Sequence, residues 1–294
     1  MGTSICLRQD AMAALVPLWR KAEQLSAITM PNRAFIACVT FSVGMFMSGA
    51  FDFRVAALVS LAMIATYSSQ AVYNCLRDIE GDKVNASWQP LASGQMSTGF
   101  AWKMMAALAV MGLALFWLAV PQLILLGVAF VLLGVFYSAY AKARHFVSYT
   151  TLVTTHMAMP MAAGYLLTGQ IDLRLAVAIG FIYMTEVLSM SIKDYKDVPG
   201  DRRVGLRTLP IVLGPQKAAL VTFAGFCSPF ILSWIPWLVL NLHPAFLAAS
   251  LASGAARIFL GLGFLSRPDS GQGKETLNKF RYVRIAQMLS WCLI

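Results

Sequence analysis

A chain of 294 residues that is 59% hydrophobic and only 12% charged, with a mean hydropathy of +0.68, is not a soluble globular domain, where about a quarter of residues carry charge. Its net charge of +10 comes without a basic module interleaved with aromatics, which argues against nucleic-acid binding. The five cysteines (Cys6, Cys38, Cys75, Cys227, Cys292) and three histidines (His145, His156, His243) have no ligand spacing, which argues against zinc, haem or a disulfide framework.

Residues 1–33 scatter acids and bases around Pro17 and lack the layout of a secretory signal. They are expected to form an amphipathic segment lying on a membrane surface. From there, apolar runs long enough to span a bilayer recur near 34–51, 55–75, 104–120, 122–141, 149–168, 173–192, 218–235, 244–265 and 281–294. The predicted fold is all-α and integral to the membrane, with nine transmembrane helices in one domain over 34–294 and the lipid bilayer as solvent. The last run has only 14 residues and is expected to be a short or tilted helix, or one cut off where the sequence stops.

Lysine and arginine fix the expected orientation. Four lie in 1–33, three in 76–103, two in 142–148, six in 193–217 and five in 266–284, so one side holds 20 of the 23. By the positive-inside rule that side, with the N-terminus, is cytoplasmic. Only Arg54 and Arg174 fall on the other side, and Arg257 falls inside a span.

Two polar stretches on the basic side repeat each other. Arg77-Asp78-Ile79-Glu80-Gly81-Asp82-Lys83 and Lys196-Asp197-Val198-Pro199-Gly200-Asp201-Arg202 both read basic-Asp-aliphatic-x-Gly-Asp-basic. Asn74, Asp78 and Asp82 are four apart and stack on one helical face; Asp197 and Asp201 repeat that spacing, and Asp194 adds a carboxylate one turn earlier. Acids packed this densely repel one another unless a polyvalent cation lies between them, and Mg²⁺ takes oxygen ligands from carboxylates, phosphates and water. The two stretches are therefore read as halves of one metal-diphosphate site. Arg77, Lys83, Lys142, Lys193, Lys196, Arg202, Arg203 and Arg207 are available for the remaining phosphate oxygens. Gly81 and Gly200 are expected to mark helix ends, and Pro199 to reinforce the second break.

Glu186 lies in the sixth span, roughly 12 Å before Asp194 along a helix. An ionisable group at that depth is a functional hypothesis by default, as an acceptor-orienting or proton-accepting residue, weighed against an interhelical hydrogen bond. His156, mid-span, is read as a packing histidine. Asn32 and Arg33 open the first span on the basic side.

Asn74-xxx-Asp78-xxx-Asp82-xx-Asn85 followed by Pro90-Leu91-Ala92-Ser93-Gly94 resembles the first signature of the UbiA superfamily of intramembrane prenyltransferases. Lys193-Asp194-xx-Asp197-xx-Gly200-Asp201-xxx-Gly205-xx-Thr208-Leu209-Pro210-xxx-Gly214 resembles the second, and Tyr137-Ser138-xxx-Lys142 looks like the tyrosine-lysine motif between them. The resemblance implies nine helices around a central cavity with a cytoplasmic-side active site. A prenyl diphosphate would bind there through Mg²⁺ with its tail in the membrane. By match, Asn74, Asp78, Asp82, Asp197 and Asp201 would be metal and diphosphate ligands and Asp194 a further acid. Lys142 would contact phosphate, with Tyr137 or Tyr140 nearby and Lys193 and Arg202 as further substrate-binding cations.

Two departures stand out. Many members have Arg-Pro where this chain has Gln89-Pro90, and many begin the first helix with Arg-Pro-x-Asn where it has Met30-Pro31-Asn32-Arg33. Arg33 is a candidate for the displaced charge. The wording around Asp78-Ile79-Glu80 and Pro90-Leu91-Ala92-Ser93-Gly94 is similar to the homogentisate branch, which implies an aromatic, phenolic or quinone-precursor acceptor. The expected reaction is ionisation of the prenyl diphosphate and alkylation of the acceptor by the allylic carbocation, in a cavity that excludes water. Two other classes fit less well: a terpene cyclase using the same metal site without an acceptor, and a non-enzymatic transporter.

Overall fold

The longest helix, α2 (Phe53–Asn85), governs the layout. Asp52 caps its start, the carboxylate accepting from the backbone N–H groups of Arg54 (2.7 Å) and Val55 (3.1 Å). No proline interrupts the next 33 residues, so α2 is about 50 Å long against a hydrocarbon core of about 30 Å. Its polar end, from Asn74 onward, therefore rises past the apolar stretch as continuous helix. The expected stop at Gly81 is not there: a single glycine costs helix about 1 kcal/mol, and Arg77, Glu80 and Lys83 around it favour helix.

The computed structural model describes residues 21–168 and 171–293. Cys6 and most of the expected surface segment (1–20) lie outside them, as does Ile294 at the end of the expected ninth span. Residues 21–29 are helical, leading into α1 (Phe35–Met47). After α2 come α3 (Thr98–Ala119) and α4 (Ile124–Ala139). A broken segment follows, made of α5 (His145–Val153), a π-turn (Thr154–Ala158) and α6 (Met159–Tyr165). The second half has α7 (Leu173–Glu186), α8 (Ile192–Tyr195), α9 (Val198–Arg203) and α10 (Leu209–Val212). It closes with α11 (Pro215–Leu232), α12 (Trp234–Leu240), α13 (Pro244–Ser266) and α14 (Ser270–Leu289). Among the described residues all regular structure is helical, and seven stretches are long and apolar enough to cross a membrane.

The two expected spans outside that set have physical reasons for it. The fifth, divided by its π-turn, is also diluted by Thr150, Thr151, Thr154, Thr155 and His156. The ninth begins at Ser270 rather than near 281, and Lys274, Glu275, Lys279, Arg281 and Arg284 make it too polar to count as an apolar crossing. Pro160 explains the division of the fifth. It has no N–H for the His156 carbonyl four residues earlier, and that carbonyl accepts instead from Thr40 Oγ1 at 3.2 Å. The π-turn frees the Thr155 carbonyl in the same way, and Tyr67 donates its hydroxyl there from α2.

α1 and α6 approach backbone to backbone. A Cβ on Gly164 would strike the Phe41 carbonyl and one on Gly44 the Met161 carbonyl, the small-residue contact by which apolar helices associate in lipid. Around this seam, one buried cluster joins α1 to α2, α3 and α4. A larger one joins the fifth segment, α7, α11, α13 and α14. The outer faces of α3 and α4 remain apolar and exposed, with Trp117, Leu118, Leu125 and Leu132 all above half exposed, as a lipid-facing surface requires.

Candidate active site

The two aspartate stretches meet at one end of the bundle. α9 packs on the polar end of α2, and the contact is pinned by one side chain, Asn85. Its Nδ2 donates to the Asp197 carbonyl (2.9 Å) and its Oδ1 accepts from the Gly200 N–H (2.7 Å). Gly200 is required for this approach, since a Cβ there would meet the Asn85 side chain and lie 2.6 Å from the Gly81 carbonyl. The break between the second pair of helices falls at Lys196 and Asp197, not at Pro199. Pro199 opens α9, a position where its missing donor costs nothing.

On the α2 side, Asn74 Nδ2 donates to Asp78 Oδ2 at 2.6 Å, and Lys142 Nζ donates to the same oxygen at 2.5 Å. Ser138 Oγ donates to Asn74 Oδ1 at 3.3 Å. The Tyr137-Ser138-xxx-Lys142 spacing works because α4 ends at Ala139 and Lys142 sits in a 3₁₀ turn, Ala141–Ala143, that folds its ammonium back over α2. Burial, the largest influence, would lower the Lys142 pKa, but Asp78, Tyr137 and Asp201 together outweigh it and hold the ammonium above its ordinary value.

On the other side, Asp194 is buried between Tyr149, whose hydroxyl donates at 2.6 Å, and Lys193 at 2.5 Å. The Lys193 ammonium lies 5.8 Å from the Tyr137 ring and 5.4 Å from the Tyr149 ring, within cation–π range. Lys196 holds both oxygens of Asp197, at 2.9 and 2.7 Å. Asp82 and Asp201 make no ion pair among the described residues, and Lys142 and Asp197 lie within electrostatic reach of both. Burial pushes the Asp201 carboxyl up to about 7, against the pull of Lys142, with Asp197 and Asp194 adding to the rise.

Among the described residues no three acids, histidines or cysteines already enclose a metal-sized space. Asp78, Asp194 and Asp197 are turned onto lysines instead. The donor set nevertheless fits a hard divalent cation: the aspartates offer oxygen ligands, and Asp82 and Asp201 both lie near Lys142 and Asp197 without an ion pair of their own among the described residues.

Of the other expected site residues, Tyr137 is at the site and Tyr140 is not. Tyr140 is 48% exposed, stacks on Phe136 and carries the Arg144 guanidinium 3.5 Å from its ring centroid. Arg202 and Arg33 are exposed and their side chains make no hydrogen bond or ion pair among the described residues; Arg33 lies in a 3₁₀ turn, Pro31–Ala34, packed on α2. Glu186 has a partner that its sequence position did not reveal. It is fully buried and paired at 2.5 Å with Arg257, equally buried, on α13. That is the interhelical alternative named above. His156 packs against Tyr67; its Nδ1 lies 3.0 Å from the Leu152 carbonyl and 2.9 Å from Thr155 Oγ1.

Sequence reasoning assigned no role to Asn85, Ser138 or Tyr149. Asn85 stood within the quoted motif, but its spacing did not show that it reaches across to α9. Tyr149 belongs to no motif. Arg284, counted above among loop cations, is buried on α14.

The model of the UbiA prenyltransferase family matches residues 37–285. The chain belongs to that family. Its curated relatives include the digeranylgeranylglyceryl phosphate synthases of Thermococcus kodakarensis, 29% identical over 66% of this chain and 70% of that protein, and of Methanothermobacter thermautotrophicus, 30% identical over 69% and 73%. A solved UbiA homologue from Archaeoglobus fulgidus, bound to GPP and Mg²⁺, superposes with a TM-score of 0.72 over 92% of this chain and 98% of its own, at 16% identity. Membership makes this chain a multi-pass membrane prenyltransferase. The relatives are named for a glyceryl phosphate product, so the aromatic acceptor expected from the motif wording finds no support in them.

Proposed function

We propose that this UbiA-family enzyme ionises a prenyl diphosphate and transfers its isoprenoid chain to an acceptor hydroxyl of the glyceryl phosphate class. One observation carries the reading: Asn85 fastens the two aspartate stretches, more than 100 residues apart in sequence, into a single acidic mouth lined with lysines. Asn74, Asp78, Asp82, Asp194, Asp197 and Asp201 would hold Mg²⁺ there. When bound, the metal supplies Lewis-acid neutralisation of the diphosphate.

The chain's own side chains do the rest. Lys142, Lys193 and Lys196 now lie on Asp78, Asp194 and Asp197. With the carboxylates holding a cation, these ammonium groups would be available to phosphate oxygens, where negative charge grows as the carbon–oxygen bond breaks. Tyr149 and Ser138 keep Asp194 and Asn74 oriented. The Tyr137 ring beside Lys193 lines the inner wall, and the buried clusters beneath exclude water from the cation formed.

We further read α5–α6 and α14 as two more crossings, making nine around a central cavity. The basic side, with the active site, would be cytoplasmic. The relatives' name supports the glyceryl phosphate class over a phenolic acceptor. The test is to incubate purified protein with Mg²⁺, C10 to C20 prenyl diphosphates and a panel of glyceryl phosphates and phenols. Prenylated glyceryl phosphate is the expected product. Prenylated phenol would restore the aromatic reading, and cyclic hydrocarbon without acceptor would mark a cyclase.

A further inference from the structure

Beneath the acidic mouth, the bundle holds a charge that its neighbours do not cancel. Glu186 on α7 is paired with Arg257 on α13, and Arg284 on α14 stands within electrostatic range of both. One carboxylate against two guanidiniums leaves an excess positive charge among buried side chains. Arginine does not shed its proton in proteins, so the excess cannot be removed by neutralisation as it could at a lysine.

The hydrogen-bonding capacity is also unspent. Arg257 Nε and Nη1 and Arg284 Nε have no partner among the described residues, against one unpaired acceptor, Glu186 Oε2, so donors are in excess, and Arg284 Nη1 reaches only the Met190 sulfur at 3.5 Å, a weak acceptor. The Phe280 ring spaces the two guanidiniums, 5.0 Å from Arg257 and 5.3 Å from Arg284. Arg257 is sealed, with no exposure, whereas Arg284 keeps 8% of its surface open. Buried charge left unpaired in a membrane bundle marks a ligand or ion position, and a guanidinium fork suits phosphate or carboxylate. Arg281, one turn before Arg284, is within range of it and of Arg33 at the start of α1. Positive charge therefore runs from the basic face inward to this point.

We propose that Arg284, backed by Arg257, seats an anionic group of the acceptor, a phosphate ester or carboxylate. This rests on the prenyl-transfer reading and adds to it the residues that seat the acceptor's anionic group. The cluster is tied to the acidic mouth through α14, which carries Arg284 and packs on α8, the helix that carries Asp194. Glu186 is then a positioning residue: it fixes Arg257 and limits the excess charge to that of one anion.

The test uses full-length protein in phosphatidylcholine nanodiscs, with octyl phosphate and octanol as matched probes and Mg²⁺-dependent geranyl diphosphate binding as the control for folding. Wild type is expected to bind octyl phosphate at least about tenfold more tightly than octanol and to be thermally stabilised only by the phosphate. Arg284→Gln is expected to bring the two probes within about twofold while leaving geranyl diphosphate affinity unchanged. A wild-type protein without phosphate preference, or an Arg284→Gln variant that keeps it, overturns the proposal; if Arg284→Gln does not fold, Arg284→Lys, which keeps the charge and loses the fork, is expected to weaken octyl phosphate binding, and an unchanged preference in it overturns the proposal. Displacement of octyl phosphate when anionic phospholipid is added would assign the site to a lipid headgroup and overturn the acceptor role. Absence of Mg²⁺-dependent geranyl diphosphate binding in wild type would instead defeat the prenyl-transfer reading, whatever the phosphate probe does.

Discussion

Asn85 offers the most direct test of the two-halves arrangement, because it joins the halves without belonging to either set of carboxylates. Asn85→Ala removes two hydrogen bonds, to the Asp197 carbonyl at 2.9 Å and from the Gly200 N–H at 2.7 Å. Each is worth a net of about 0.5–1.5 kcal/mol, and more where a buried partner stays unsatisfied. Together that is about 1–3 kcal/mol of docking free energy, which lowers the equilibrium constant for seating α9 on α2 by about fivefold to a hundredfold. The helices themselves lose nothing, since α2 ends at this residue. We therefore expect normal insertion and extraction, with kcat/KM for prenyl diphosphate reduced about tenfold or more. Asn85→Asp should do no better, because it keeps the acceptor for Gly200 but loses the donor to Asp197 and adds a charge to an acidic mouth. Activity of Asn85→Ala within twofold of wild type would refute the claim that this bridge holds the site together.

Other consequences follow from the same geometry. Asp78→Ala or Asp197→Ala should abolish turnover in protein that still inserts and extracts normally; near-wild-type activity in either would remove it from the site. Chelation with EDTA should stop diphosphate release and added Mg²⁺ should restore it, and turnover indifferent to chelator would rule out the metal-diphosphate reading. Tyr137→Ala should lose most activity and Tyr140→Ala little, because only Tyr137 lies beside Lys193; equal losses measured in parallel assays would contradict that distinction. Glu186→Gln leaves the Arg257 charge unpaired at zero exposure, where breaking a buried pair costs about 3–5 kcal/mol. Its melting temperature should fall well below that of Glu186→Gln/Arg257→Met, in which no charge is stranded. Equal melting temperatures would show that the pair adds nothing to stability.

Much of this protein is legible without coordinates. Hydropathy alone gives a helical membrane protein, because a backbone in lipid must satisfy its own hydrogen bonds and the helix is the local way to do so. The four-residue spacing of Asn74, Asp78 and Asp82 puts them on one face regardless of tertiary context, and chemistry alone links them to a repeat such as Asp197 and Asp201. What depends on neighbours distant in sequence was not readable. Gly81 does not end α2, since the residues around it favour helix. Tyr140 differs from Tyr137 by about one helical turn, and only the fold around the end of α4 decides which of them faces the mouth. Glu186, Arg257 and Arg284 look like three separate intramembrane or loop charges until α7, α13 and α14 are packed together. Periodicity is a property of a segment, whereas the pairing of buried charges and the reach of Asn85 across to α9 are properties of how segments meet, and only the tertiary structure contains them.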